Sequence, residues 1–255
     1  MISKNPLPIL EYDDAEKGII HATDHIPRID VPEHAVILFF QEVIADLIRR
    51  YPSRQVYTLK GEAGPQPIYE IEFNNHRVVI FHPIVGGPLA AGFIEEVMAL
   101  GCTKFIACGG AGVLDRNIQI GHLVVPVRAL RDEGTSYHYL PASRFIDLDE
   151  KAVKAIAETL EEDKVPYLKA TTWTTDAFYR ETAEMVRYRR EEGCLTVEME
   201  CASFAATARF RGATFGQILY AGDDVGGETW DSRAWSRNEI RKKLGELAIR
   251  ACLKL

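Results

Sequence analysis

Residues 194–210 read CLTVEMECASFAATARF. The first four are β-like, and from about Glu200 onward small and apolar residues follow helical spacing, so the stretch predicts a strand turning directly into a helix. Glu198, Met199 and Glu200 then lie at the junction, two acids in a segment otherwise suited to burial. A carboxylate at a helix start is stabilised by free amide donors and the dipole. It also accepts well from two adjacent hydroxyls, and Met199 offers a polarizable surface for a sugar face or base edge. A plain helix cap with a core methionine accounts for the same residues.

Working outward, ATFGQILYAG (213–222) returns as a strand. Upstream, TKFIAC (103–108) reads as a strand, GGAGVLDRNIQIG (109–121) as a loop and HLVVPV (122–127) as a further strand. IYEIEFNNHRVVIFHPI (68–84) predicts a hairpin, because Asn74-Asn75 tolerates the positive φ of a tight turn. Pro88 precedes AAGFIEEVMAL (90–100), a helix ending at Gly101. Asp147 with Glu150 predicts a capping box opening DEKAVKAIAETL (149–160), and Ser236 with Glu239 a second one before the last helix, 240–255. Strands and helices interleave, which predicts an α/β fold with a mixed sheet. Residues 1–255 are expected to form a single domain, with the proline-rich, charged residues 1–35 as a surface arm leading into VILFF (36–40).

The net charge of −7, from 37 acids against 30 Lys plus Arg, comes without a basic tail or block. That argues against a nucleic-acid or anionic-membrane surface. Five cysteines, without close pairs, read as buried free thiols of a reducing compartment. Neither a signal peptide nor a long apolar run is present, so a cytoplasmic protein is expected. HATDH (21–25) supplies two imidazoles and a carboxylate but no third ligand, and no metal is expected. A GxSxG elbow is absent, which disfavours a serine hydrolase.

Three further places carry chemistry. Gly86, Gly87, Gly109, Gly110 and Gly112 follow the strands VVIF and FIAC, where backbone amides can approach a small oxygen-rich ligand, or where the chain simply turns tightly. In GQILYAGDDVGGETWD (216–231), Asp223 and Asp224 end a buried-looking strand. A partly desolvated acid there can donate a proton, its neighbour assisting, or the pair can form a hydrated turn. In TTWTTDAFYRET (171–182), Phe178 and Tyr179 can stack on a planar base or pack in the core.

GGAG (109–112), TTDAFY (174–179), VEMECASF (197–204) and AGDD (221–224), in this order, resemble the purine and uridine phosphorylase superfamily over residues 68–255. The resemblance implies a single α/β domain around a mixed, partly closed sheet flanked by helices, assembled as dimers or hexamers. It implies a nucleoside phosphorylase that cleaves the N-glycosidic bond of a purine ribonucleoside, with inorganic phosphate as co-substrate and no cofactor. Phe178 would stack on the base, Met199 line base and ribose, Glu200 accept from the ribose hydroxyls, and Asp223 protonate the purine at N7. Glu198, Gly109 and Gly110 would border the substrate, and Gly86 and Arg28 the phosphate.

The chain departs from the family pattern at Ala107, where phosphorylases carry arginine, at Gly110, where they carry serine or threonine, and in lacking GDPxR. These departures leave open a hydrolytic nucleosidase or a non-catalytic nucleoside-binding protein. If phosphate is used, Arg28, Arg131 or a partner subunit would have to supply the charge. His82 and His138 are further candidates near phosphate or substrate. Thr182 and Glu184 stand where uridine phosphorylases carry glutamine and arginine, which with Asp223 favours a purine, whereas DEGTSYHY (132–139) looks more like the uridine branch.

Overall fold

The computed structural model describes residues 2–233 and 238–255. Residues 2–33 run over the surface with two single 3-10 turns, Pro8–Leu10 and Ala22–Asp24. The chain then enters β1 (His34–Leu38), whose last four residues are wholly buried. A continuous apolar run of this kind suits a central strand covered on both faces. Next come α1 (Gln41–Arg50) and β2 (Ser53–Leu59).

The expected hairpin forms from β3 (Gln66–Phe73) and β4 (His76–Phe81), with φ of 51° at Asn74 and 63° at Asn75. Both central residues are therefore left-handed, which matches the twist of the flanking strands. The following helix, α2 (Gly87–Leu100), has Pro88 in its first turn and ends on Gly101 at φ 138°.

β5 spans Lys104–Val113 and corrects the expectation of a loop at GGAG. The glycines lie inside the strand because two other strands crowd it there. A β-carbon on Gly110 would fall 2.9 Å from the Tyr220 ring and hydroxyl, a contact that real side chains do not make. Glycine in a strand interior thus marks close approach here rather than a turn.

The rest of the chain supplies β6 (Leu123–Asp132), β7 (Phe145–Asp147), α3 (Glu150–Glu162), β8 (Tyr167–Thr175), α4 (Ala183–Glu191), β9 (Cys194–Glu198), α5 (Cys201–Phe210), β10 (Thr214–Asp224) and α6 (Asn238–Cys252). The α3 cap is Asp149, not Asp147: its carboxylate accepts from the amides of Lys151 and Ala152. Asp147 instead ends β7 and pairs with Arg128 at 3.0 Å. The box expected at Ser236 lies outside the described residues.

Among the described residues, ten strands join in one mixed sheet. β2, β3, β4, β1 and β5 form an open wing, in which β1 runs parallel to both β4 and β5. β5 also pairs with β10, β10 with β6, β6 with β8, β8 with β9, and β9 again with β5, closing a ring. The first half of β5 belongs to the wing and its last residues, Gly112 and Val113, to the ring through Val197 and Thr196. Helices flank this partly closed sheet; α2 packs on α5, α3 on α6, and α6 across β5 and β1. Phe204 of α5 and Phe215 of β10, both buried with ring centroids 5.2 Å apart, tie helix to sheet. Truncating either to alanine costs about 3–5 kcal/mol.

Candidate active site

Ligands in α/β sheets bind beyond the carboxyl ends of strands. A cavity of about 780 Å³ opens there, where β1, β5, β9 and β10 end beside the turn Phe178–Arg180. Gly110, Phe178, Glu198, Met199 and Asp223 all line it. Four segments separated in sequence thus meet at one place.

Glu198 ends β9 and seals the start of α5. One carboxylate oxygen accepts from the amides of Glu200 (2.8 Å) and Cys201 (2.6 Å), the other from the Thr174 hydroxyl (2.6 Å). The capping acid is therefore Glu198, whereas Glu200 occupies the N-cap position without a side-chain cap. Glu200 is not among the cavity-lining residues; 5% exposed, it accepts the Gly86 amide at 2.6 Å. Gly86, at φ 97°, precedes the first residue of α2, and a side chain there would be strained. Burial, and then the charge of Glu198, push the Glu200 pKa up; burial does the same for Glu198. Hydrogen bonds to the charged form, three on Glu198 and those from the Gly86 and Met199 amides on Glu200, oppose that rise.

Asp223 lies on β10 and accepts from the Trp230 indole at 2.7 Å. Its neighbour does not assist it. Asp224 is buried and bound to the Gly226 amide (2.8 Å), to Arg116 (3.2 Å) and to Arg233 (3.6 Å). The second acid near Asp223 is Glu181, which also lines the cavity and which the motifs did not indicate. Burial, and then the charge of Asp223, raise the Glu181 pKa to about 7.

Phe178 is 51% exposed and Tyr179 90%, with ring centroids 4.2 Å apart. Core packing of this pair is thereby excluded, and the Phe178 ring faces the cavity as an open stacking surface.

Arg241 of α6, Tyr220 of β10, and Phe39 and Phe40 beyond β1 complete the wall. Arg241 donates to the Tyr220 hydroxyl (3.2 Å) and to Glu42 (2.7 Å), and lies 4.8 Å over the Phe40 ring. No local motif marks these residues; only the closure of the sheet brings them to the glycines of β5.

Other candidates lie elsewhere. Arg28 is exposed, and the amide of the next residue, Ile29, bonds Leu100 at the far end of α2 from Gly86. Arg131 is buried and committed to Ser136, Ser143 and the carbonyls of Leu140 and Pro141. It therefore has no free donor face for phosphate. The Gly86 amide is taken by Glu200, and Gly109 packs its backbone against the Phe39 ring. His82 accepts the Ile84 amide through Nδ1 and has its pKa lowered by burial; neither it nor His138 lines the cavity. Among the described residues, no group of three or more His, Cys, Asp or Glu could hold a metal ion.

Residues 33–254 match the Phosphorylase superfamily, and the chain belongs to that family. The match starts well upstream of residue 68, where the recognisable motifs run out. A guanosine phosphorylase of Halorubrum lacusprofundi is 31% identical over 153 residues, 58% of this chain and 64% of the relative. A uridine phosphorylase of Thermococcus kodakarensis is 37% identical over 95 residues, 37% of this chain and 34% of the relative. The chain thus spans less than two thirds of either curated relative. The structure of a purine nucleoside phosphorylase from Toxoplasma gondii superposes with a TM-score of 0.77 at 16% identity, covering 93% of this chain and 98% of that one. That likeness is one of fold.

Proposed function

We propose that the protein is a nucleoside phosphorylase, a pentosyltransferase that cleaves the N-glycosidic bond of a purine ribonucleoside with phosphate to give the base and ribose-1-phosphate. The observation that carries the reading is the meeting of Phe178, the Glu198–Met199 wall and Asp223 at one cavity. The base stacks on Phe178 while Met199 lies along base and ribose. The ribose hydroxyls are accepted by the acid pair, Glu198 from the wall and Glu200 beside it. A carboxylate has about four lone-pair positions, and Glu200 commits part of them to the amides of Gly86 and Met199.

Bond cleavage builds positive charge on the sugar and negative charge on the departing base. Carboxylates beside the sugar and a proton delivered by Asp223 to N7 both favour the transition state over the ground state. Phosphate then attacks the anomeric carbon. Its positive partner in this reading is Arg241, the arginine on the cavity wall, in place of the one missing at residue 107.

The competing reading is hydrolysis by water, favoured by Ala107, Gly110 and the aromatic Phe39-Phe40 after β1. Incubating inosine, guanosine, adenosine and uridine with and without phosphate decides between them. Ribose-1-phosphate formed only with phosphate is the expected result; free ribose formed in its absence would establish hydrolysis. Binding without release of any base would leave a nucleoside-binding protein.

The reading treats residues 1–255 as one unit with 1–35 as an arm, and the enzyme as a homo-oligomer, dimer or hexamer. The exposed Ile19 and Ile20 of the arm and Val85 and Leu89 at the start of α2 offer apolar contacts for such assembly. A reducing, cytoplasmic setting fits five buried free thiols. Burial pushes three of these, Cys102, Cys194 and Cys252, up to about 12.

A further inference from the structure

We propose that His82 is a positioning residue: by accepting the Ile84 amide it holds the loop between β4 and α2 in the turn that sets Gly86 against Glu200, and so orients the Glu200 carboxylate for the sugar. Its effect on turnover rests on the cavity being a nucleoside site, whereas the chain of contacts can be followed without substrate. The backbone is the starting point. Among the described residues, Ile84 is the one left-handed non-glycine residue with a branched β-carbon, at φ 62°. A β-carbon there crowds the following carbonyl, and a branched side chain makes the position an outlier that the surrounding structure must hold.

The holding contact is local. His82 Nδ1 accepts the Ile84 amide at 3.0 Å, a side chain closing over the residue two places on as in an Asx turn. The other ring nitrogen bonds the Phe39 carbonyl, and the Phe39 ring meets the imidazole edge-on, with 6.1 Å between centroids. Phe39 is itself pressed against Gly109, where a β-carbon would lie 3.1 Å from the ring. The loop is thereby referenced to β5 and to the end of β1 as well as to its own strand.

Two residues after the strained position, the Gly86 amide donates to Glu200 Oε1 at 2.6 Å. Glu200 makes no side-chain cap to α5, and its carboxylate is held by this amide and that of Met199. Relaxation of Ile84 into an ordinary β or α conformation would rotate the peptides that follow and carry the Gly86 N–H away from the carboxylate. His82 therefore acts on the sugar without touching it.

The imidazole accepts only while Nδ1 carries no proton. Burial lowers the His82 pKa, against the Phe39 carbonyl and the charge of Glu42 on α1, which is itself paired with Arg241 of α6. The turn is held at neutral pH and released in acid, below the usual histidine range.

The test uses His82→Ala, His82→Asn and the double variant His82→Ala/Ile84→Gly, with circular dichroism as the folding control. One readout is hydrogen exchange at the Gly86 amide in the ligand-free protein, the other the riboside to 2′-deoxyriboside ratio of kcat/KM. His82→Ala should speed Gly86 exchange about 10-fold or more and lower the ratio about 3- to 10-fold, the loss of one hydrogen bond. Asparagine can accept from the same amide, and glycine takes the left-handed turn at no steric cost, so His82→Asn and the double variant should both recover most of each. The wild-type ratio should fall in acid and that of His82→Asn should not.

Unchanged Gly86 exchange in His82→Ala, equal losses on ribosides and 2′-deoxyribosides, or no recovery in either rescue variant would overturn the proposal. Should His82→Ala fail to fold, the acid-side comparison of wild type with His82→Asn decides it. If no nucleoside is cleaved, the phosphorylase reading falls, and Gly86 exchange alone decides whether His82 holds the loop.

Discussion

The phenol of Tyr220 occupies the space that a side chain on Gly110 would enter: a β-carbon there would fall 2.9 Å from its ring and hydroxyl across the β5–β10 pair. Tyr220 is 1% exposed and bound to Arg241, so it cannot swing away freely. Gly110→Ser, the residue type that the family pattern has there, should therefore destabilise the fold by about 1–3 kcal/mol. Denaturant midpoints check this, and Tyr220→Ala should recover part of the loss, because the two sites share one volume.

In the proposed reaction Asp223 protonates the base. Asp223→Asn keeps the acceptor for Trp230 but removes the proton, and kcat for a purine nucleoside should fall by roughly 10²- to 10⁴-fold. Unchanged turnover in a folded variant would remove Asp223 from the chemistry.

The two glutamates of the β9–α5 junction are separable by experiment. Glu198→Gln weakens a charged helix cap and should cost about 0.5–2 kcal/mol of stability as well as activity. Glu200→Gln leaves that cap in place and disturbs only the backbone contacts to Gly86 and Met199, so it should lower the melting temperature less than Glu198→Gln does. If both accept from the sugar, each variant should lose more kcat/KM on ribosides than on 2′-deoxyribosides; a loss confined to Glu198→Gln would restrict the sugar contact to that residue.

Arg241 is held by Glu42, and phosphate would compete for it. Arg241→Ala should raise the KM for phosphate by about 10-fold or more with little change in the KM for nucleoside. Glu42→Gln should lower the phosphate KM, since it removes a rival anion. A purely structural Arg241 would not reverse sign between the two substitutions.

Activity should depend on pH through Glu181. With its pKa raised to about 7 by burial and by the charge of Asp223, the carboxyl is neutral below that point and ionised above it, so a second negative charge appears beside Asp223 as pH rises through that value. The measured quantity is the pH profile of kcat/KM in wild type against Glu181→Gln, in which that step should vanish.

Much of the fold could be read locally. The Asn74-Asn75 turn, the Pro88 start and Gly101 end of α2, and the strand-to-helix switch at Glu198–Glu200 each depend on residues adjacent in sequence, where backbone preference decides. The course of β5 through Gly109–Gly112 could not be read that way. Glycine signals a loop locally but here answers to Tyr220 and Val197, which reach it only after the sheet closes. The cap of α3 falls on Asp149 rather than Asp147 because the two acids are alike in type and only β7 pairing separates them. At the cavity, the positions of Phe178 just after β8 and of Asp223 at the end of β10 could be read locally. Glu181 and Arg241 could not, since one carries no partner to suggest a role and the other comes from a helix with no chemical motif.

Ring closure also determines where this molecule is open to its own kind. With β10 joined to β5, the sheet of the described residues retains one long unpaired border, β2, whose first residues Ser53, Arg54 and Gln55 are exposed. Strand addition from another chain, whether orderly assembly or the first step of aggregation, is channelled to that side. There Arg54 sets a charge in its path, far along the wing from the mouth where substrate would enter.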